Sequence, residues 1–195
     1  MLRKVKKAKK SGLNNKLNSL VVWLLLMAWL PAHAVIYATV EQTMQKIYAA
    51  NCEIKKKNYF LSEANHERLV ELLQVHKNQV DRTNLYFEET EKGKVVSRVF
   101  IDTHRVRTLK ETILIKVNAN NEVEHIEILA FNEPKDYLAK EVWLQQFKHK
   151  RFVMDKSLLK QEIKPYLGAS LTASAIDKAV RKVLLMNQWM NQGQL

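Results

Sequence analysis

Apolar and polar positions recur at two different periods along this chain, and the change of period divides it into segments. From Val40 to Ala50 the spacing is helical, with Val40, Met44, Ile47 and Tyr48 on one face. Ser62, acidic residues and then Leu69, Val70, Leu72, Leu73 and Val75 predict a second helix that fades near Asn78. The period then shortens. Asn84 to Thr90 and Lys94 to Thr103 flank Glu91-Lys92-Gly93 and read as a hairpin. Thr112 to Val117 and Val123 to Phe131 flank Asn118-Ala119-Asn120-Asn121-Glu122, a second hairpin with turn-forming residues.

Beyond Pro134 the helical period returns. It predicts a helix from about Asp136 to Phe147 with Leu138, Val142, Trp143 and Phe147 inward, and a short helix around Lys156 to Ile163. A last amphipathic helix runs from Ala175 to about Asn187, with Ile176, Ala179, Val180, Val183 and Leu184 on its apolar face. A block of strands between helices predicts an α+β fold, a curved antiparallel sheet of about four strands packed on flanking helices.

The N-terminus changes the picture of where this fold works. Residues 1–19 carry seven cations and no acid, an apolar run follows from Leu20 to Leu30, and Pro31 precedes Ala32-His33-Ala34. A basic region, a short apolar core and an A-x-A site describe a secretory signal peptide over residues 1–34. The apolar core is too short for a spanning helix. Continuing it through Val35-Ile36-Tyr37 gives the alternative, an uncleaved inner-membrane anchor. Either way the positive flank stays inside, so the remainder is expected in the periplasm.

The leader also accounts for most of the charge. The formal net charge is +12, from 32 Lys and Arg against 20 Asp and Glu. Without the seven leader cations, 25 bases face 20 acids, a net +5 that gives no ground for nucleic-acid binding. The single cysteine, Cys52, excludes an internal disulfide framework and reads as a partly buried apolar-like residue. Five scattered histidines after the leader predict no metal site.

Three segments could carry chemistry. Gly168-Ala169-Ser170-Leu171-Thr172-Ala173-Ser174-Ala175 concentrates small and hydroxyl residues in a chain with four glycines. It reads either as a plain helix start with Ser170 or Thr172 as N-cap, or as an anion seat at a helix N-terminus. In Asp102-Thr103-His104-Arg105-Val106-Arg107-Thr108, strand alternation sets Thr103, Arg105 and Arg107 on one face and Asp102, His104 and Val106 on the other. Two guanidinium groups on one face suit a phosphate or carboxylate, and a solvated strand end is the plainer reading. In Leu129 to Tyr137 a strand exits into a helix, where Glu133 could accept from a polar ring edge and Tyr137 could stack on one or simply fill core. No nucleophile elbow, catalytic triad order or phosphate-binding Gly-rich loop is present, so the chain reads as a holder of a cofactor rather than a catalyst by side chains.

Taken in order, Val123–Glu133, Trp143-Leu144-Gln145-Gln146-Phe147 and Gly168-Ala169-Ser170-Leu171-Thr172 resemble the motifs of the FMN-binding domain family. That domain occurs in periplasmic subunits of sodium-pumping NADH:quinone oxidoreductase and Rnf complexes, and as small stand-alone exported proteins. The resemblance covers roughly Leu85 to Met186, with residues 81–190 as the FMN-binding domain and 35–80 as an N-terminal helical segment.

The resemblance implies FMN as cofactor, a membrane redox partner, and a flavin transferase that joins FMN through a phosphodiester to the hydroxyl after Gly-Ala, here Ser170. It implies Gly168, Ala169, Leu171 and Thr172 beside the phosphate, with Glu133, Tyr137, Thr103, His104 and Arg105 as further phosphate or ring neighbours. The chain departs from the family pattern at Leu167, where Ser or Thr is usual, and at Lys164, where an acid is common. These departures support a rival expectation, an exported binding or interaction domain that keeps the fold and has lost the flavin.

Overall fold

The computed structural model describes residues 35–151 and 162–194. The predicted leader and most of the predicted Lys156–Ile163 helix lie outside the described residues. The architecture is α+β. Six strands form one antiparallel sheet: β1 (Val35–Ile36), β2 (Glu53–Phe60), β3 (Thr83–Glu91), β4 (Lys94–Arg105), β5 (Lys110–Asn118) and β6 (Val123–Phe131), in the order β1-β6-β5-β4-β3-β2. The helices are α1 (Val40–Ile47), α2 (Glu63–Leu73), the single turn α3 (Glu141–Leu144) and α4 (Ser170–Asn191).

The four central strands are those the alternation predicts. Their turns follow from local backbone chemistry. Lys92 and Gly93 both have positive φ (49° and 76°), the two-residue hairpin geometry whose twist matches the flanking strands. The expected four strands become six because the edges carry little pattern. β2 is Glu-Ile-Lys-Lys-Lys-Asn-Tyr-Phe, exposed along most of its length. Three lysines on an edge strand oppose further strand addition, and they also hide the strand from a hydrophobic reading. β1 is only two residues, pairing Val35 with Phe131 and Ile36 with Ala130.

The sheet buries both faces. On one, Phe100, Ile113, Ile115 and Val117 meet Ile176, Val180, Val183 and Leu184 of α4 and Leu69 and Leu73 of α2. On the other, Val99, Leu114 and Leu129 meet Met44 of α1. The apolar stripes predicted for α1, α2 and α4 are therefore the ones used, and burial of each such side chain contributes about 1.5–3 kcal/mol.

The predicted Asp136–Phe147 helix is broken into pieces. Short 3-10 turns at Lys135–Tyr137 and Gln145–Phe147 flank α3, and Leu138 and Lys140 are extended. The cause lies in Tyr166. Its hydroxyl donates to the Leu138 carbonyl (3.0 Å) and accepts from the Lys140 amide (3.3 Å), groups that a continuous helix would bond internally. Trp143 and Phe147 do point inward, but Val142, expected beside them, is 84 % exposed.

Candidate functional site

The small-residue window is held from below by the Trp143–Phe147 element. Trp143 Nε1 donates to the Lys164 carbonyl (2.8 Å), and the Lys164 amide donates to Gln146 Oε1 (2.9 Å). Tyr166 packs on the Trp143 ring with centroids 5.3 Å apart. These contacts fix the chain just before Gly168, which adopts φ +85°. A side chain there would meet no neighbour, so it is the left-handed backbone that calls for glycine.

The turn launches α4 directly. Ala169 is the N-cap and is buried, and Ser170 is the first helical residue, exposed to solvent. The predicted N-cap role of Ser170 or Thr172 is thus taken by a residue with no capping side chain. The helix begins at Ser170, five residues before its predicted start at Ala175, because the left-handed Gly168 turns the chain directly into it. Amides of the first turn have no intrahelical acceptor, and here no side chain of the N-cap serves them.

Thr172 lies differently. It is buried, and its Oγ1 donates to the Tyr137 carbonyl at 2.7 Å, tying α4 to the strand exit. Leu171 is half exposed and Leu167 almost wholly so.

Glu133 is buried beside the β4–β5 turn, where its Oε1 accepts from the amides of Arg107 (3.2 Å), Thr108 (2.7 Å) and Leu109 (2.8 Å). Three converging amides form an anion nest, and the protein fills it with its own carboxylate. Those amides, Leu109 first, hold the carboxyl below the usual range despite burial. Tyr137 carries the Arg107 guanidinium over its ring at 4.8 Å. Both residues therefore have structural partners. Glu133→Gln should lower stability by about 1–2 kcal/mol, since a charged acceptor becomes neutral. Denaturant titration of the variant measures it.

The Asp102–Val106 segment follows the predicted alternation. Thr103 bonds its cross-strand partner Thr112, Oγ1 to Oγ1 at 3.0 Å, and Arg105 is exposed. Asp102 and His104 face α4. His104 Nδ1 lies 2.8 Å from Asp102 Oδ1 and Nε2 lies 2.9 Å from Glu111 Oε2, while Asp102 Oδ2 pairs with Lys182 Nζ. Lys182, Asp102, His104 and Glu111 thus alternate in charge through the buried interface between sheet and helix.

Burial opposes a charge on His104, but the two carboxylates outweigh it and its pKa is pushed up to about 9. Burial likewise acts against the Asp102 charge, yet Lys182 and His104 hold that carboxyl well below the usual range. For Glu111 burial prevails and pushes the carboxyl up, with His104 pulling the other way. A histidine whose folded pKa exceeds its unfolded one gives stability that is complete below the unfolded value and is lost as pH rises through the folded one. From about pH 6.5 to about 9, stability should fall by roughly 2–3 kcal/mol, and His104→Gln should flatten that slope. Urea unfolding across this range tests it; a slope unchanged by the substitution would assign the loss to another group.

Above this ion chain lies a cavity of about 860 Å³, bounded by the α2–β3 connection from Leu73 to Asp81, the end of β4 and the first turns of α4. Of the residues predicted from sequence it gathers Thr103, His104, Arg105 and Leu171. Ser170 is next in sequence to Leu171, whereas Glu133, Tyr137 and Thr172 belong to the neighbouring strand exit. Sequence reading missed Glu111, Lys178 and Lys182. The faint signal for Lys182 was the pair Arg181-Lys182 set between Val180 and Val183 in the helical stretch.

Among the described residues no cluster of His, Cys, Asp and Glu could hold a metal ion, and no helix is long and apolar enough to cross a membrane. Cys52 is partly buried. No family model, no curated protein and no solved structure matches this chain.

Proposed function

We propose that the protein is an exported, flavin-carrying electron-transfer module, with the FMN phosphate at the Gly168-Ala169-Ser170 helix start. The observation that carries the reading is the exposed Ser170 hydroxyl at the first position of a 22-residue helix, whose early turns wall an 860 Å³ cavity. The donor set suits a flavin phosphate. First-turn amides and the positive end of a long helix favour negative charge, and the cavity lies within the size range of cofactor sites. Ser170 would anchor the phosphate, Gly168 and Ala169 would allow its close approach, and Leu171 would offer an apolar edge. Arg105, at the cavity rim, supplies positive charge. A bound flavin would supply reversible one- and two-electron chemistry, while the protein supplies orientation and the surrounding field.

Export to the periplasm follows from the leader pattern, and a membrane redox partner and a flavin transferase follow from the family resemblance. Production of the exported form with and without a flavin transferase tests the reading. A yellow protein with in-gel flavin fluorescence is expected with the transferase, and reversible FMN binding by titration without it. A colourless protein that takes up no FMN in titration would sink it.

A second reading has its own support. Glu133 and Thr172, both expected beside a flavin, are committed to backbone partners. A cofactor-free domain, keeping the fold for interaction, would leave them so. The same titration separates the two readings.

A further inference from the structure

The cavity between the α2–β3 connection and α4 has an uneven distribution of charge. On its buried side, Lys182, Asp102 and His104 are neutralised by one another and by Glu111. At its rim, Arg105, Lys110 and Lys178 make no ion pair among the described residues. Lys77 is paired with Glu63, which leaves Asp81 as the one opposing rim charge among the lining residues. The rest of the lining includes Leu73, Val75, Val80, Val106 and Ala179, which give the cavity an apolar wall. A cavity whose inner charges are internally matched and whose rim retains a cation excess is complementary to a ligand with an apolar body and a negative group.

We propose that this cavity binds an anionic, partly apolar small molecule, and that Lys178 recognises its charge. Lys178 lies two turns beyond Ser170 at i+8, and Ser174 at i+4 lines the same cavity, so the three share one stripe of α4. Lys182 continues that stripe but is committed to Asp102, so the ion chain leaves Lys178 as the cation of α4 available to a ligand. His104 is a positioning residue here, since both ring nitrogens are engaged by carboxylates.

On the flavin reading, on which this inference partly rests, the cavity receives the cofactor's ring system and Lys178 attracts the phosphate held at Ser170 on the same stripe of α4, a determinant the motifs did not include.

The test uses the exported form produced without a transferase, titrated with FMN, with riboflavin, and with the anionic dye anilinonaphthalene sulfonate. FMN should bind more tightly than riboflavin. Lys178→Gln should weaken FMN and the dye about tenfold and leave riboflavin within about twofold, with Lys178→Arg restoring both anions. Circular dichroism and the unfolding midpoint identify a misfolded variant, in which case the arginine variant and the salt dependence of FMN binding to the parent carry the comparison. FMN bound equally well with and without the Lys178 charge would overturn the cavity inference and leave the flavin reading standing. Dye binding that depends on Lys178, with neither flavin bound, would overturn the flavin reading and support the cavity. Absence of all three ligands would overturn both.

Discussion

Replacing Asp102 by alanine is expected to lower the unfolding free energy by about 3–5 kcal/mol, the largest single-residue effect foreseen outside the apolar core. Asp102 is 3 % exposed and is shared by two cations, Lys182 from α4 and His104 from its own strand. Its removal leaves both charges buried, with Glu111 as the one remaining carboxylate of the chain. The cost arises from stranding those charges, and the net worth of the ion chain itself is smaller. Asp102→Asn keeps the shape and hydrogen-bonding capacity but not the charge, so its cost should be intermediate. It should also bring the His104 titration down toward its ordinary range, visible by NMR. Equilibrium unfolding in urea measures both variants, and a loss below about 1 kcal/mol for Asp102→Ala would contradict this account of the α4–sheet interface.

The second large effect is all-or-none. Ser170→Ala should abolish covalent flavin while leaving the fold intact, with stability unchanged to within about 0.5 kcal/mol. Ser170 is exposed, follows a buried N-cap and makes no side-chain contact that the helix start depends on. Thr172→Val is the informative control. It removes the bond to the Tyr137 carbonyl and should cost about 1 kcal/mol while retaining the flavin. Flavin fluorescence after denaturing electrophoresis reads the pair. Loss in Thr172→Val with retention in Ser170→Ala would exchange the two roles.

What could be read from the amino-acid sequence divides along physical lines. β3 to β6 were legible because each is a short run rich in β-branched, aliphatic and aromatic residues with a Gly or Asn hairpin turn at one end. β2 was not, since an edge strand of consecutive lysines is shaped by protection from other chains rather than by burial. The apolar faces of α2 and α4 were legible because both pack on the sheet, whereas the start of α4 was not. The positive φ of Gly168 sets it, and that depends on the Trp143 and Gln146 bonds to Lys164, made across the fold. The Asp136–Phe147 stretch has a helical period but lends Leu138 and Lys140 to Tyr166, a distant partner that no local pattern announces.

The site shows the same division. Alternation correctly set Asp102 and His104 apart from Thr103 and Arg105, and the two-arginine motif drew attention to the solvent-facing set. The groups that meet α4 are the others, and their partners Glu111 and Lys182 come from separate elements. Glu133 was singled out by its place at a strand exit, and the structure buries it there. Its hydrogen bonds go to the β4–β5 turn, 24 to 26 residues away in sequence.

The proposed attachment of a flavin phosphate to Ser170 is tested by the intact mass of the exported protein made with a flavin transferase, followed by mapping of the labelled peptide. One added FMN phosphodiester per chain is expected, located on the peptide containing Gly168 to Lys178 and absent from Ser170→Ala. A mass equal to that of the bare polypeptide, or a label on any other peptide, would contradict it.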